Sequence, residues 1–142
     1  MSLPQVFWDS SALIPLCVQQ LQTQRSEALY INYGVTVWWS TQVEIISGLT
    51  RLLRMREIDA AEFVEGKQVA QAMAMIWTAI KPSANVEREA RALLEQYPLR
   101  AADALQLAAA LEWCEGKPKG RVFLTFDQRL GEVAAQAGFT LE

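Results

Sequence analysis

A switch from a short apolar, β-branched or aromatic run to a helix opened by polar capping residues recurs along this chain and limits its possible folds. Gln5-Val6-Phe7-Trp8 ends at Asp9-Ser10-Ser11, and the helix that follows through Ala12-Leu13-Ile14 is expected to reach about Gln24, with Pro15 tolerated in its first turn. Gly34 to Trp39 suits a strand, and Ser40-Thr41 then open a helix carrying Val43, Ile45, Ile46, Leu49, Leu52 and Leu53. Arg121 to Thr125 reads as a buried strand, after which Asp127 caps a helix to about Gln136. Gly138 ends that helix before a short final strand, Phe139 to Leu141. Between the second and third switches lie three more helices: one capped by Asp59 and running to about Trp77, one from Val86 to Tyr97, and an Ala- and Leu-rich one from Arg100 to Cys114. Strands alternating with helices imply parallel βαβ units. The expected fold is therefore α/β, a three-layer α/β/α arrangement with a central parallel sheet, in one domain spanning residues 1–142.

The chain contains no histidine. Ser-His-Asp triads, Cys-His nucleophiles, paired-histidine ribonuclease chemistry and His-ligated zinc are thereby excluded. Cys17 and Cys114 are too few for a thiolate zinc site and read as buried apolar groups in a reducing cytoplasm, the compartment that the absence of a secretory signal also suggests. No apolar stretch approaches the roughly 20 residues needed to cross a bilayer, so no membrane association is expected. If the chain is an enzyme, its tools are carboxylates, hydroxyls and hard oxygen-loving cations. The net charge of -3 gives no basic footprint for nucleic acid, an objection that weakens if acids gather around a bound divalent cation.

In an open parallel sheet, ligands bind at the carboxyl ends of the strands. Asp9, Glu44 and Asp127 follow the three expected strands directly, and Asp103 starts a helix that could point its first turn at the same edge. Each also has a plainer reading. Asp9 and Asp127 could be ordinary N-caps, Thr41-x-x-Glu44 has the form of a capping box, and Asp103 could favour the helix dipole or pair with Arg100. Asp59 is assigned to capping outright. Capping alone does not ask for an acid at every site, since Ser, Thr or Asn serve as well. Asp103 lies in an otherwise small and apolar helix, where a lone carboxylate is costly unless paired, hydrogen-bonded or bound to metal.

Taken in order, four segments resemble a PIN domain, and are most similar to the VapC toxins. They are Asp9-Ser10-Ser11 after an apolar strand, Glu44 in a Ser-Thr-x-x-Glu helix start, Leu99-Arg100-Ala101-Ala102-Asp103-Ala104-Leu105, and Leu124-Thr125-Phe126-Asp127 followed by Leu130, Ala134, Ala135 and Gly138. The resemblance implies that Asp9, Glu44, Asp103 and Asp127 form an acidic quartet holding Mg²⁺ or Mn²⁺, with Ser10 and Thr125 as hydroxyl helpers. It implies an endoribonuclease that cleaves RNA by metal-activated water, the toxin of a toxin–antitoxin pair, dimeric and silenced by a cognate antitoxin. The sequence departs from the family at Gln106, where many relatives carry a histidine. Four ionised carboxylates brought together would repel by several kcal/mol at an effective dielectric near 20, so at least one pKa should rise in the metal-free protein.

Arg51, Arg54 and Arg56, and Lys117, Lys119 and Arg121 around a loop, are candidates for gripping single-stranded or loop RNA, or equally solvated surface charges. Met73, Met75, Trp77, Trp38 and Trp39 are candidates for the core, with some available to line an apolar partner groove. A receiver domain or haloacid-dehalogenase-like phosphatase fits worse, because neither adjacent acids nor Asp-x-Asp follow the first strand. A PIN-like scaffold without catalysis is the other alternative.

Overall fold

The structure is a computed structural model, describing residues 2–142. Strand β1 (Gln5–Trp8) is followed by α1 (Ser10–Cys17) and α2 (Thr23–Asn32), then β2 (Gly34–Trp38), α3 (Thr41–Arg54), α4 (Ala60–Ala74) and β3 (Thr78–Ile80). The chain continues through α5 (Ala84–Gln96), α6 (Ala101–Trp113), β4 (Phe123–Leu124) and α7 (Gln128–Ala137). The four strands form one sheet in the order β3-β2-β1-β4, with all three pairings parallel. This is the doubly wound α/β architecture that the strand-to-helix switches predict. After β3 the chain returns to the far side of β1 to lay down β4, so the direction of winding reverses next to β1, and a crevice at the carboxyl ends is expected there.

Side chains alternate across the sheet and build two cores. Val6, Trp8, Val37 and Leu124 pack under α1, α3 and α4, whereas Phe7, Trp38 and Phe123 pack under α5, α6 and α7. Phe7 and Phe123 stack with centroids 5.5 Å apart. Burying a side chain such as Phe7 is worth about 1.5–3 kcal/mol, and the sheet contributes residues to both faces, which fixes the three-layer order. No helix among the described residues is long and apolar enough to cross a membrane.

Several local expectations are corrected. The first helix stops at Cys17 instead of reaching Gln24. The Thr23 hydroxyl donates to the Pro15 carbonyl (2.7 Å) and accepts from the Gln20 amide (2.8 Å), so one side chain closes the helix end and turns the chain into α2. Pro15 stands in the second turn of α1, not the first. Helix α2 had no apolar signature because its buried positions are Thr23 and Ser26, the latter donating to the Ala12 carbonyl at 3.0 Å. The helix capped by Asp59 ends at Ala74, and the residues after Trp77 form the edge strand β3, too short for a period-2 pattern to register. The final strand reduces to a single parallel bridge between Val122 and Thr140. Of the core candidates, Trp38 and Met73 are buried, Trp77 is half-buried, and Trp39 (60% exposed) and Met75 (83%) face outward.

Candidate active site

Each of the four acids is delivered by a different connection. Asp9 follows β1, Glu44 sits in the first turn of α3 after β2, Asp103 in the first turn of α6, and Asp127 follows β4. All four line one open cavity of about 230 Å³ at the carboxyl edge of the sheet, together with Ser10, Ser47 and Arg51.

Asp9 is buried at 4% exposure and tightly held. Its Oδ2 accepts from the Ser11 hydroxyl (2.6 Å), the Thr125 hydroxyl (2.8 Å) and, more weakly, the Ser11 amide (3.4 Å). These bonds all converge on Oδ2, and among the described residues no donor reaches Oδ1. Glu44 is held by three donors: Ser10 Oγ (3.1 Å) and Gln106 Nε2 (3.1 Å) on Oε1, and Ser40 Oγ (2.7 Å) on Oε2. The capping-box reading of Glu44 therefore fails, because its carboxylate takes side-chain donors, and the Thr41 hydroxyl takes Gln106 Nε2 at 3.3 Å. Asp127 does both jobs, capping α7 through the Leu130 amide (2.8 Å) while lining the cavity. Asp59 has a purely local role, a reciprocal capping box with Glu62.

Electrostatically the cavity is strained. Burial raises the Asp9 carboxyl from 3.8 to about 6, aided by the charges of Glu44 and Asp103 and opposed by the Ser11 and Thr125 hydroxyls. Desolvation also raises Asp103, followed by the charges of Asp127 and Glu44, against relief from Arg100 and Arg129. The donor set, carboxylates and hydroxyls with no imidazole or thiolate, suits a hard divalent cation, which would relieve this repulsion. Among the described residues the acidic side chains line the cavity without any three of them standing as a compact ligand cluster.

The model of the PIN domain matches residues 6–136. The chain belongs to the PIN-domain family. Over 142 aligned residues it is 29% identical to ribonuclease VapC45 of Mycobacterium tuberculosis, covering 96% of this chain and 93% of that protein. Its fold is similar to that of a toxin–antitoxin complex chain from Klebsiella pneumoniae (TM-score 0.66, 14% identity, 96% and 97% of the two chains). It is also similar to that of Mycobacterium tuberculosis VapC20, a sarcin-ricin loop cleaving toxin (TM-score 0.63, 18% identity, 96% and 97%).

Within this PIN domain the structure sets Ser11 and Gln106, to which sequence reasoning gave no role, beside the expected hydroxyls of Ser10 and Thr125. Ser10 and Ser11 are adjacent, and the roughly 100° that separates neighbours on a helix sends Ser10 to Glu44 and Ser11 to Asp9. Ser11 also accepts the Phe126 amide at 2.9 Å, joining the β1 and β4 edges. Gln106, noted only as a departure, is fully buried and grips Glu44. Its signal was legible: an amide in an Ala-rich helix, one turn after Asp103 on the same face. Of the basic candidates, Arg51 lines the cavity. Lys117, Lys119 and Arg121 precede β4 and so lie at the opposite edge of the sheet, where the Arg121 guanidinium stacks 4.1 Å from the Trp113 ring centroid.

Proposed function

We propose that this PIN domain is a divalent-metal-dependent endoribonuclease and the toxin of a toxin–antitoxin pair. The observation that carries the reading is the meeting of Asp9, Glu44, Asp103 and Asp127 around one cavity at the carboxyl edge. Similarity along nearly the whole chain to a protein named ribonuclease VapC45 supports RNA as the substrate, and the likeness to a chain of a toxin–antitoxin complex supports an antitoxin partner. A homodimer working in the cytoplasm completes the proposal.

In this reading Asp9, Glu44, Asp103 and Asp127 would hold Mg²⁺ or Mn²⁺, and the Ser11 and Thr125 hydroxyls on Oδ2 keep the Asp9 carboxylate in place for that role. When bound, the cation supplies the positive charge that draws in a phosphodiester and acidifies the attacking water. Ser10, Ser40 and Gln106 fix the Glu44 carboxylate, so its orientation is set before substrate arrives. Thr125 holds Asp9 and also accepts the Asp127 amide at 3.0 Å, tying the two acids to one hydroxyl.

The test is incubation of the purified protein with single-stranded and structured RNAs, with Mg²⁺ or Mn²⁺ and with chelator. Cleavage should require metal and leave 5′-phosphate ends. Asp9→Asn and Asp103→Asn should each lower it by more than about a hundredfold while keeping the circular dichroism of the parent, since even supporting groups of metal sites are worth roughly 10- to 100-fold. Full activity in both variants would refute the assignment.

A further inference from the structure

A second cavity of about 220 Å³ adjoins the acidic one. The two share Ser11, Ile14, Gly48 and Arg51, so they form one groove running between α1 and α3. Gly48 keeps that passage low: a Cβ there would stand 2.6 Å from Ile14 Cδ1. Beyond Arg51 the groove changes character. The half-buried ring of Phe126 and the side chains of Gln20 and Gln22 line it, and the Arg25 guanidinium stands 5.5 Å from the Phe126 centroid. Its wall is fixed, because Thr23 pins the Gln20 amide to the end of α1 and Ser11 pins the Phe126 amide.

We infer that this second cavity is a subsite for an unpaired nucleotide next to the scissile phosphate, with its base against Phe126 and a neighbouring phosphate on Arg51. The inference rests on the ribonuclease reading and names how that site holds its substrate. An aromatic ring beside a cation is the combination that binds single strands, because every base has a π-face and every linkage a charge. Gln20 and Gln22 each offer one acceptor and an amide donor pair, the groups that read a base edge exposed by unpairing. A duplex cannot enter, since its bases are stacked on each other. A basic peptide is disfavoured by Arg51 and Arg25.

The experiment is fluorescence anisotropy of labelled RNA octamers in chelator, using the Asp103→Asn protein so that binding is read without cleavage. Single-stranded RNA should bind more tightly than the same sequence in a duplex, and more tightly than an octamer made abasic at each position in turn, with one position dominating. Adding Phe126→Leu should weaken the intact octamer roughly tenfold, as expected when a base loses its stacking partner, and leave the octamer abasic at the dominant position unchanged. Adding Arg51→Gln should lower the slope of log affinity against log salt by about 0.7, one phosphate contact on a single strand. Abasic octamers that bind as tightly as the parent would overturn the subsite, and that comparison needs no folded variant. Unchanged affinity in both variants would also overturn it, and would assign the groove to a protein chain or to no ligand. Absence of binding to any RNA, with absence of metal-dependent cleavage by the parent, would instead sink the ribonuclease reading itself.

Discussion

Replacing Asp9 by asparagine isolates the electrostatic cost of the acidic cavity in one side chain. Burial, then the charges of Glu44 and Asp103, raise its pKa from 3.8 to about 6 despite two hydroxyl donors. The direction is opposite to the usual aspartate. Between those pH values the folded protein binds a proton that the unfolded chain releases, so Asp9 favours folding fully below pH 3.8 and loses that advantage as pH rises through about 6. At about 1.4 kcal/mol per pH unit, the ionised group costs up to roughly 3 kcal/mol at neutral pH in the absence of metal. Asparagine has the same shape, can still accept from Ser11 and Thr125, and does not titrate. The stability of Asp9→Asn minus that of the parent should therefore grow by about 2–3 kcal/mol between about pH 4 and pH 7.5, or roughly 5–10 °C in Tm for a domain of this size. Thermal and urea melts of both proteins in chelator measure it, with groups common to the two cancelling in the difference. Mg²⁺ or Mn²⁺ should then raise the Tm of the parent at pH 7.5 and leave the variant nearly unmoved, because a ligand of the folded state stabilises it by mass action. A pH-independent difference would refute the argument that desolvation and like charge strain this site.

Three further predictions follow from single residues. Gln106→Leu should lower cleavage by about tenfold or more through a freed Glu44 while costing under about 1.5 kcal/mol in stability, because Gln106 Oε1 is buried with no hydrogen-bond partner and its loss offsets that of the Nε2 contacts; urea melts beside kcat separate the two effects. Asp59→Ala should cost about 0.5–2 kcal/mol by removing the α4 capping box and leave cleavage untouched, which marks it as the one aspartate outside the cavity. Cys17, buried and pushed up to about 12 by desolvation, should resist alkylation in the native protein at pH 8 and react once the chain is denatured; rapid native labelling would contradict its burial at the end of α1.

The sequence by itself determined the strand-to-helix switches after Trp8, Trp39 and Thr125, within one residue of the strand ends at Trp8, Trp38 and Leu124, and hence a parallel sheet, because apolar periodicity and capping residues act over a few positions. It also placed four acids where such a sheet would gather them. What it could not supply depends on partners distant in the chain. Helix α2 buries Thr23 and Ser26 against α1, and those hydroxyls look solvent-facing until Pro15 and Ala12 carbonyls are in reach. Strand β3 exists because β2 is beside it, not because three residues carry a pattern. The same holds at the site: Gln106 meets Glu44 across 62 positions and Thr125 meets Asp9 across 116. Local propensity names the residues that can hold a carboxylate, and only the packed sheet edge decides which carboxylate each one holds, since a hydrogen bond needs its donor within about 3 Å.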